Sequence, residues 1–150
     1  MNIYWSQLFS KPVYHINSNE TFGKVIDILF AFYEIKYFVV QKNNIINNNN
    51  YYISVEDIES FCSEKIYFTN INKTSNDING LCTIKEFYKK ELYTEDGDFI
   101  GIIDDILIDN QSFKINSFII VESFWDQIIN SKKIILAPED IIFKENKFII

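Results

Sequence analysis

The segment Gly101–Asp109 reads Gly-Ile-Ile-Asp-Asp-Ile-Leu-Ile-Asp, and the chain contains a second version of it. The segment Gly23–Phe30 reads Gly-Lys-Val-Ile-Asp-Ile-Leu-Phe. In both segments Asp follows Gly by four positions, and Ile-Leu follows Asp. β-Branched apolar residues such as Ile and Val are typical of β-strands. Two strands with one pattern indicate an internal duplication, which the rest of the sequence can support or contradict.

The similarity extends over both halves of the chain in one order, with gaps only in polar stretches. The identical positions are Tyr14/Tyr93, Gly23/Gly101, Asp27/Asp105, Ile28/Ile106, Leu29/Leu107, Ile35/Ile115, Phe38/Phe118, Glu56/Glu139, Asp57/Asp140 and Ile58/Ile141. Loops that connect strands tolerate such gaps because few contacts depend on them. The sequence therefore predicts two similar units at residues 1–70 and 83–150, joined by a polar linker at 71–82.

Each unit is predicted to contain five strands and one short helical turn. The predicted strands are Pro12–His15, Thr21–Phe30, Ile35–Gln41, Tyr51–Ser54 and Lys65–Asn70, and then Leu92–Thr94, Phe99–Ile108, Lys114–Val121, Lys133–Ala137 and Lys147–Ile150. Ser54 is a good N-cap and Pro138 suits a first helical position, so both units should begin a short turn there. The fold class predicted is all-β with minor short helices.

Composition and charge narrow the function classes. Hydrophobic residues make up 47% of the 150-residue chain, enough for a core, and 17% of residues are aromatic. The net charge of -7 argues against direct nucleic-acid binding and against docking on an anionic membrane. No membrane insertion and no signal peptide are expected. Cys62 and Cys82 lack metal-site spacing and suggest free thiols, so a cytoplasmic location is expected.

In this order, the motifs around Lys11-Pro12-Val13-Tyr14, Gly23–Leu29 and Tyr52–Ile58 resemble the PRC-barrel domain. The opening hairpin Leu92–Asp109, with its Asp96-Gly97 turn, is similar to the same family. The resemblance implies small β-barrels, here two in tandem related by internal duplication. It also implies a binding or assembly role, and it transfers no catalytic residue. Strand glycines such as Gly23 and Gly101 fit such a barrel, because they allow coiling or close backbone approach. The two units are expected to share an apolar interface.

Several acidic residues have both a metal-binding and a structural interpretation. Asp27 and Asp105, with Asp104 and Asp109 nearby, could ligate a cation, but carboxylates that accept turn amide hydrogens at the start of the strand are the favoured interpretation. The same choice applies to Glu95, Asp96 and Asp98 beside Gly97, where a turn is favoured. No metal site and no cofactor are predicted. Gly23, Asp27, Gly101, Asp105, Glu56, Asp57, Glu139 and Asp140 are therefore predicted to be structural motif residues.

His15 and Cys62 are two further candidates for a reactive side chain. His15 lies at a strand end without a nucleophile pattern, so a solvated histidine is favoured over a general base. Cys62 is predicted to be a small buried or half-buried residue, because no basic neighbour would activate it. No catalytic residue is predicted.

The predicted partner-binding residues are aromatic. Phe124 and Trp125 lie in an excursion between two strands, where they would either pack on the barrel or anchor a partner. Tyr51 and Tyr52 end the corresponding excursion of the first unit and share this interpretation.

The leading functional prediction is a non-catalytic adaptor or assembly module that contacts a protein partner, with a homo-oligomeric state left open. One alternative is a ribosome-associated or RNA-associated factor, by analogy with the ribosome-maturation factor RimM. A second alternative is a barrel that binds a small ligand or a metal ion.

Overall fold

The structure is a computed structural model that describes residues 2–42, 50–62, 64–73, 78–122, 133–144 and 147–150. Phe124 and Trp125 lie outside the described residues. Within these ranges the protein is all-β, with fourteen strands in one sheet and only short helical turns. The described part of the chain contains no helix with the length and hydrophobicity needed to span a bilayer.

The strands of the N-terminal half are β1 (Asn2–Tyr4), β2 (Pro12–His15), β3 (Thr21–Ala31), β4 (Glu34–Lys42), β5 (Asn50–Ser54), β6 (Ile58–Phe61) and β7 (Ile66–Phe68). Those that follow are β8 (Cys82–Thr83), β9 (Glu91–Tyr93), β10 (Phe99–Asp109), β11 (Lys114–Val121), β12 (Lys133–Leu136), β13 (Ile142–Lys144) and β14 (Lys147–Ile149). All ten predicted strands are present to within two residues at each end. The short strands β1, β6, β8 and β13 were not predicted.

The helical segments in the described part of the chain are one turn each. They are α1 (Trp5–Leu8) and the 3₁₀ turns Val55–Asp57, Ile84–Glu86 and Pro138–Asp140. The Ser54 hydroxyl accepts a hydrogen bond from the backbone amide of Glu56, and Pro138 occupies the first position of its turn. The predicted helical turns at these two places are therefore confirmed.

The order of the strands in the sheet is the same on both sides of its centre. From one end the order is β13-β14-β9-β10-β11, then β4-β3-β2-β7-β6. The two central strands meet at Lys114 and Glu34. Among the described residues this sheet is open, so the pairing does not show the two separately closed barrels that the sequence predicts.

The long hairpins carry the same irregularities at the same places. The β3–β4 register shifts between Val25 and Asp27, and the β10–β11 register shifts between Ile103 and Asp105. A bulge of this kind adds one residue and bends the strand. Each long strand therefore bends immediately before its motif aspartate.

Gly23 and Gly101 allow two backbones to approach closely. A Cβ atom on Gly23 would lie 2.1 Å from the carbonyl oxygen of Gln41, and one on Gly101 would lie 2.3 Å from that of Val121. Neither glycine has a positive φ angle, so the constraint is space and not backbone conformation. The sequence prediction of close backbone approach is confirmed.

The first strand of each half pairs with a strand of the other half. Strand β1 pairs with β10, placing Tyr4 opposite Leu107. Strand β8 pairs with β3, placing Thr83 opposite Leu29. These two pairings are reciprocal, because the first strand of each half extends the sheet of the other half.

A tight turn completes the junction between the halves. Phe32 and Tyr33 form the tip of the β3–β4 hairpin, and both have a positive φ. The backbone carbonyl of Tyr33 accepts a hydrogen bond from Ile115, and that of Phe113 accepts one from Ile35, both 2.8 Å long. The Phe32 side chain does not contribute to the packing of the junction, because it is 97% exposed.

The core is shared by the two halves. A single cluster of buried residues contains side chains from both, among them Trp5, Phe38, Ile84 and Phe118. Across the junction, the Phe113 ring stacks on Phe61 with their centroids 5.6 Å apart. The predicted apolar interface between the units is confirmed.

We predict that Gly23→Ala and Gly101→Ala each lower the free energy of unfolding by about 3 kcal/mol, the upper part of the range for overpacked sites. The added Cβ would overlap a backbone carbonyl that belongs to a neighbouring strand and cannot rotate away. Urea unfolding followed by circular dichroism measures the change.

Gly97→Ala is the matched control. Gly97 has a positive φ but no atom within 4 Å of the added Cβ, so its cost should be about 1 kcal/mol, from backbone conformation alone. Equal losses at all three glycines would show that close approach is not the constraint.

Candidate functional site

Asp27 joins the two halves through its carboxylate. Its Oδ1 accepts a hydrogen bond from the backbone amide of Ile28 at 2.8 Å and from that of Lys85 at 3.3 Å. The first bond holds the bulge of β3, and the second satisfies an amide in the 3₁₀ turn Ile84–Glu86. Burial raises the pKa of Asp27, and the backbone hydrogen bonds oppose that rise.

Asp105 makes the reciprocal contacts. Its Oδ1 accepts hydrogen bonds from the amides of Ile106 at 2.8 Å and of Ser6 at 3.1 Å, and its Oδ2 accepts one from the Ser6 hydroxyl. The sequence predicted that these aspartates accept turn amides, which is confirmed. Their position was wrong, because they lie at mid-strand bulges and each accepts an amide from the opposite half.

The remaining acidic motif residues lie in and beside the short helical turns. Glu56 and Glu139 are exposed. The Asp57 backbone carbonyl accepts a hydrogen bond from the amide of Thr69 at 2.8 Å. The amide of Asp140 donates to the carbonyl of Ala137 at 3.0 Å. The geometry gives these residues a local role in the turn.

The other carboxylates singled out from the sequence have local partners. Asp104 pairs with the Lys89 ammonium at 2.7 Å. Asp109 accepts backbone hydrogen bonds from Gln111 and Ser112, the first of which is the main cause of its lowered pKa. Near Gly97, the amide of Asp98 donates to the Thr94 hydroxyl, which confirms the predicted turn.

Tyr51 and Tyr52 are half-buried. The Tyr51 ring packs edge-on against Phe22, with a centroid distance of 5.2 Å, and the Lys42 ammonium lies 5.8 Å from its centroid. Tyr52 forms a backbone bridge with Asn72. Their role in partner binding stays a prediction, as does that of Phe124 and Trp125 outside the described residues.

Two smaller predictions were wrong. His15 is not a simply solvated histidine: its Nδ1 accepts a hydrogen bond from the Asn17 amide, and its Nε2 lies 3.0 Å from the Thr69 carbonyl oxygen. Cys62 is exposed, not buried, because it follows β6 at a turn where its thiol donates to the Lys65 carbonyl. Both cysteines are free, as predicted.

An apolar groove of about 640 Å³ lies at the end of the second half and is the candidate functional site. We call it the C-terminal groove. It is lined by Phe87, Phe143, Phe148, Cys82, Lys85, Glu86 and Lys90. The aromatic rings form a series from the surface inward: Phe143 lies 5.0 Å from Phe148, which lies 4.7 Å from Phe87. The groove thus opens directly onto the core.

Phe143 is the exposed end of this series, although its counterpart in the first half is buried. Phe61 pairs with Ile66, which pairs with Val13, and Phe143 pairs in the same way through Phe148. Phe61 is 9% exposed, whereas Phe143 is 60% exposed. The second half therefore leaves open a position that the first half fills.

The difference arises from two hairpin-tip residues. Phe113, at the β10–β11 tip, stacks on Phe61 and covers it. Tyr33, at the β3–β4 tip, occupies the corresponding place but turns to Phe30 and Phe118. Its hydroxyl donates to the Ile141 carbonyl at 3.4 Å, away from Phe143. No other aromatic ring in the described residues replaces it over Phe143.

The charged residues that line the groove are two lysines, Lys85 and Lys90, and one glutamate, Glu86. Burial raises the pKa of the Cys82 thiol, and the Glu86 carboxylate raises it further, so the thiol stays protonated at neutral pH. Neither Lys85 nor Lys90 has an ion-pair partner among the described residues. In a chain of net charge -7 this gives the groove a local charge opposite to that of the protein.

The half of the chain that contains the C-terminal groove matches a known protein family. Residues 82–150 match the PRC-barrel domain family. This half of the chain is a PRC-barrel domain. The resemblance seen in its opening hairpin is therefore confirmed. No curated protein matches the chain at a significant level.

The match to the PRC-barrel family begins at Cys82, the first residue of β8, which pairs with a strand of the other half. The groove residues of this domain were not predicted as a site, because Phe87, Phe143 and Phe148 are ordinary core-type residues in sequence. The one available signal was that Phe143 follows two apolar residues, Ile141 and Ile142, whereas its counterpart Phe61 follows the polar pair Glu59-Ser60. The predicted boundaries at residues 70 and 83 stay a prediction.

We predict that Asp27→Asn is at least as stable as the wild type at neutral pH, whereas Asp27→Ala loses about 2 kcal/mol. Asparagine keeps the Oδ1 acceptor for the amides of Ile28 and Lys85, and alanine leaves both amides without it. Urea unfolding between about pH 3 and pH 7 compares the three proteins.

The pH dependence follows from the raised pKa of Asp27. The folded protein holds this proton more tightly than the unfolded chain, so the wild type loses stability as pH rises from 3.8 through the folded pKa. The advantage of Asp27→Asn over the wild type should therefore be absent below pH 3.8 and grow above it. An asparagine variant as unstable as the alanine variant would show that the negative charge itself is required.

Proposed function

We propose that this protein is a non-catalytic docking module that binds an extended segment of a partner protein in the C-terminal groove. The observation that carries the proposal is Phe143, which is 60% exposed on a set of rings continuous with the core. Large exposed aromatic residues in a concave surface are typical of interface anchors. Burial of this ring by a partner would complete the packing that Phe113 provides over Phe61.

The charges at the groove indicate the chemistry of the partner segment. Lys85 and Lys90 lie at its edge, and both belong to the lining of the groove. A segment with an apolar side chain for the aromatic floor and an acidic residue beside it would satisfy both. Such contacts give specificity and association rate more than affinity, so the dependence on salt should be moderate.

A second groove, of about 620 Å³, is less suited to bind a partner segment than the C-terminal groove. It lies at the junction of the halves, and its charged residues include Glu34 and Lys36, which pair with each other at 3.5 Å. Its apolar residues, such as Ile35, are already covered by the core. The junction groove offers a partner less apolar surface than the C-terminal groove.

We also propose that the first half is a second PRC-type unit that arose by duplication. The support is the matched position of Gly23 and Gly101 against a neighbouring carbonyl and of Asp27 and Asp105 at equivalent bulges. Chance similarity of two strands would not reproduce a bulge, a close approach and a reciprocal carboxylate contact together. In this proposal one unit supports the other, and the second unit presents the groove.

The test is affinity capture from cells of the source organism with quantitative mass spectrometry. Proteins recovered with the wild type and lost with Phe143→Ser are groove partners. Phe32→Ser is the matched control, since it removes an equally large exposed ring from a hairpin tip elsewhere. With a purified partner, Phe143→Ser should weaken binding by about 2 kcal/mol, the size of an interface hot spot.

Reversal of the edge charge provides a second measurement on the same partner. Lys90→Glu should weaken binding at low salt and lose this effect at high salt, because the contact is electrostatic. A partner set that is the same for the wild type and Phe143→Ser would contradict the proposal.

A further inference from the structure

The outer edge of β5 in the first half is covered by a segment of its own chain. The amide of Tyr52 donates to the carbonyl of Asn72 at 2.7 Å, and the amide of Asn72 donates to the carbonyl of Tyr52 at 2.9 Å. This antiparallel bridge satisfies both backbone groups that Tyr52 directs away from β4. The edge strand β5 therefore accepts a further strand at Tyr52.

The equivalent position in the second half is Ile135 in β12. Tyr52 lies opposite Val39 in β4, and Ile135 lies opposite Ile119 in β11, each next to the equivalent pair Phe38 and Phe118. The same register directs the amide and carbonyl of Ile135 away from β11. Within the described residues β12 pairs only with β11, and the Ile135 side chain is 67% exposed.

The residues of β12 offer little protection against pairing. The strand reads Lys-Ile-Ile-Leu from Lys133 to Leu136, and its pairing with β11 contains no bulge. Protein edge strands usually carry charges, prolines or bulges that block a further strand. Strand β12 has one charge, at its first residue. Its edge is therefore suited to accept another strand.

We infer that β12 pairs with β12 of a second copy of this chain, antiparallel and centred on Ile135. The two Ile135 residues then exchange both backbone hydrogen bonds, as Tyr52 and Asn72 do. Ile134 lies opposite Leu136 of the second copy, and Lys133 lies opposite Ala137. The sheet becomes continuous through the dimer. This contact is separate from the C-terminal groove and does not depend on the proposed function.

A second copy fits this edge by its own symmetry. A two-fold axis at Ile135 places apolar side chains opposite apolar side chains and never places the two Lys133 ammonium groups opposite each other. A like-charge pair directly across two strands would be unfavourable, and this register avoids it. An isologous contact of this kind also closes at two copies, so a dimer and not a fibre results.

Sedimentation velocity over a wide range of protein concentration tests the inference. The wild type should pass from monomer to dimer as concentration rises. Ile135→Lys should weaken dimerisation by about tenfold or more, because it places two ammonium groups opposite each other across the axis. The matched control is Ile16→Lys, which changes an exposed isoleucine of the first half and should leave dimerisation unchanged. Circular dichroism confirms that both variants are folded.

A charge exchange tests the register itself. Ile135→Glu alone should also remain monomeric, whereas an equal mixture of Ile135→Lys and Ile135→Glu should recover the dimer through opposite charges at the axis. A wild type that stays monomeric at every concentration would overturn the inference. So would a dimer that Ile135→Lys leaves intact, or a mixture that fails to associate, because each places the contact elsewhere.

Discussion

The structure depends on a reciprocal contact between two carboxylates and two backbone amides. Asp27 in β3 accepts the amide of Lys85, and Asp105 in β10 accepts the amide of Ser6. Each amide belongs to the short helical segment that enters the opposite half. A helical turn leaves its first amides without internal partners, and these carboxylates supply the missing acceptors. The two halves are thereby held in one arrangement.

This contact determines which strands pair. Strand β1 reaches β10 and strand β8 reaches β3 because the helical segment after each strand is held at the opposite bulge. A half of about 70 residues buries too little surface to be very stable alone, and sharing strands increases the buried apolar area. The open sheet with a single core is the result. The strained turn at Phe32 and Tyr33 is part of the same junction, because the Tyr33 carbonyl completes it.

The difference in exposed surface between the halves comes from small departures from their common pattern. Phe61 is covered by Phe113, whereas Phe143 is left open because Tyr33 binds the Ile141 carbonyl instead. Asn72 covers the edge of β5, and no described residue does so for β12. Both exposed features, the C-terminal groove and the β12 edge, therefore lie on the second half. In the proposed function the first half acts mainly as a support.

The sequence alone determined ten of the strands, the repeated pattern and two glycines expected to allow strand coiling or close backbone approach. Strand periodicity, the Asp96-Gly97 turn and the Ser54 cap are local signals, and local signals can be read without knowing what lies across the sheet. The family of residues 82–150 could be recognised in the same way from the order of motifs around Gly101.

Only the tertiary structure decided which half each short strand joins and where the surface stays open. Strands β1 and β8 are too short for periodicity to reveal their partners, since pairing between distant segments depends on the whole chain. Phe61 and Phe143 are the same residue type at equivalent positions, and their exposure differs because Phe113 from the other half stacks on Phe61. Such a contact between distant segments is not encoded in a linear pattern.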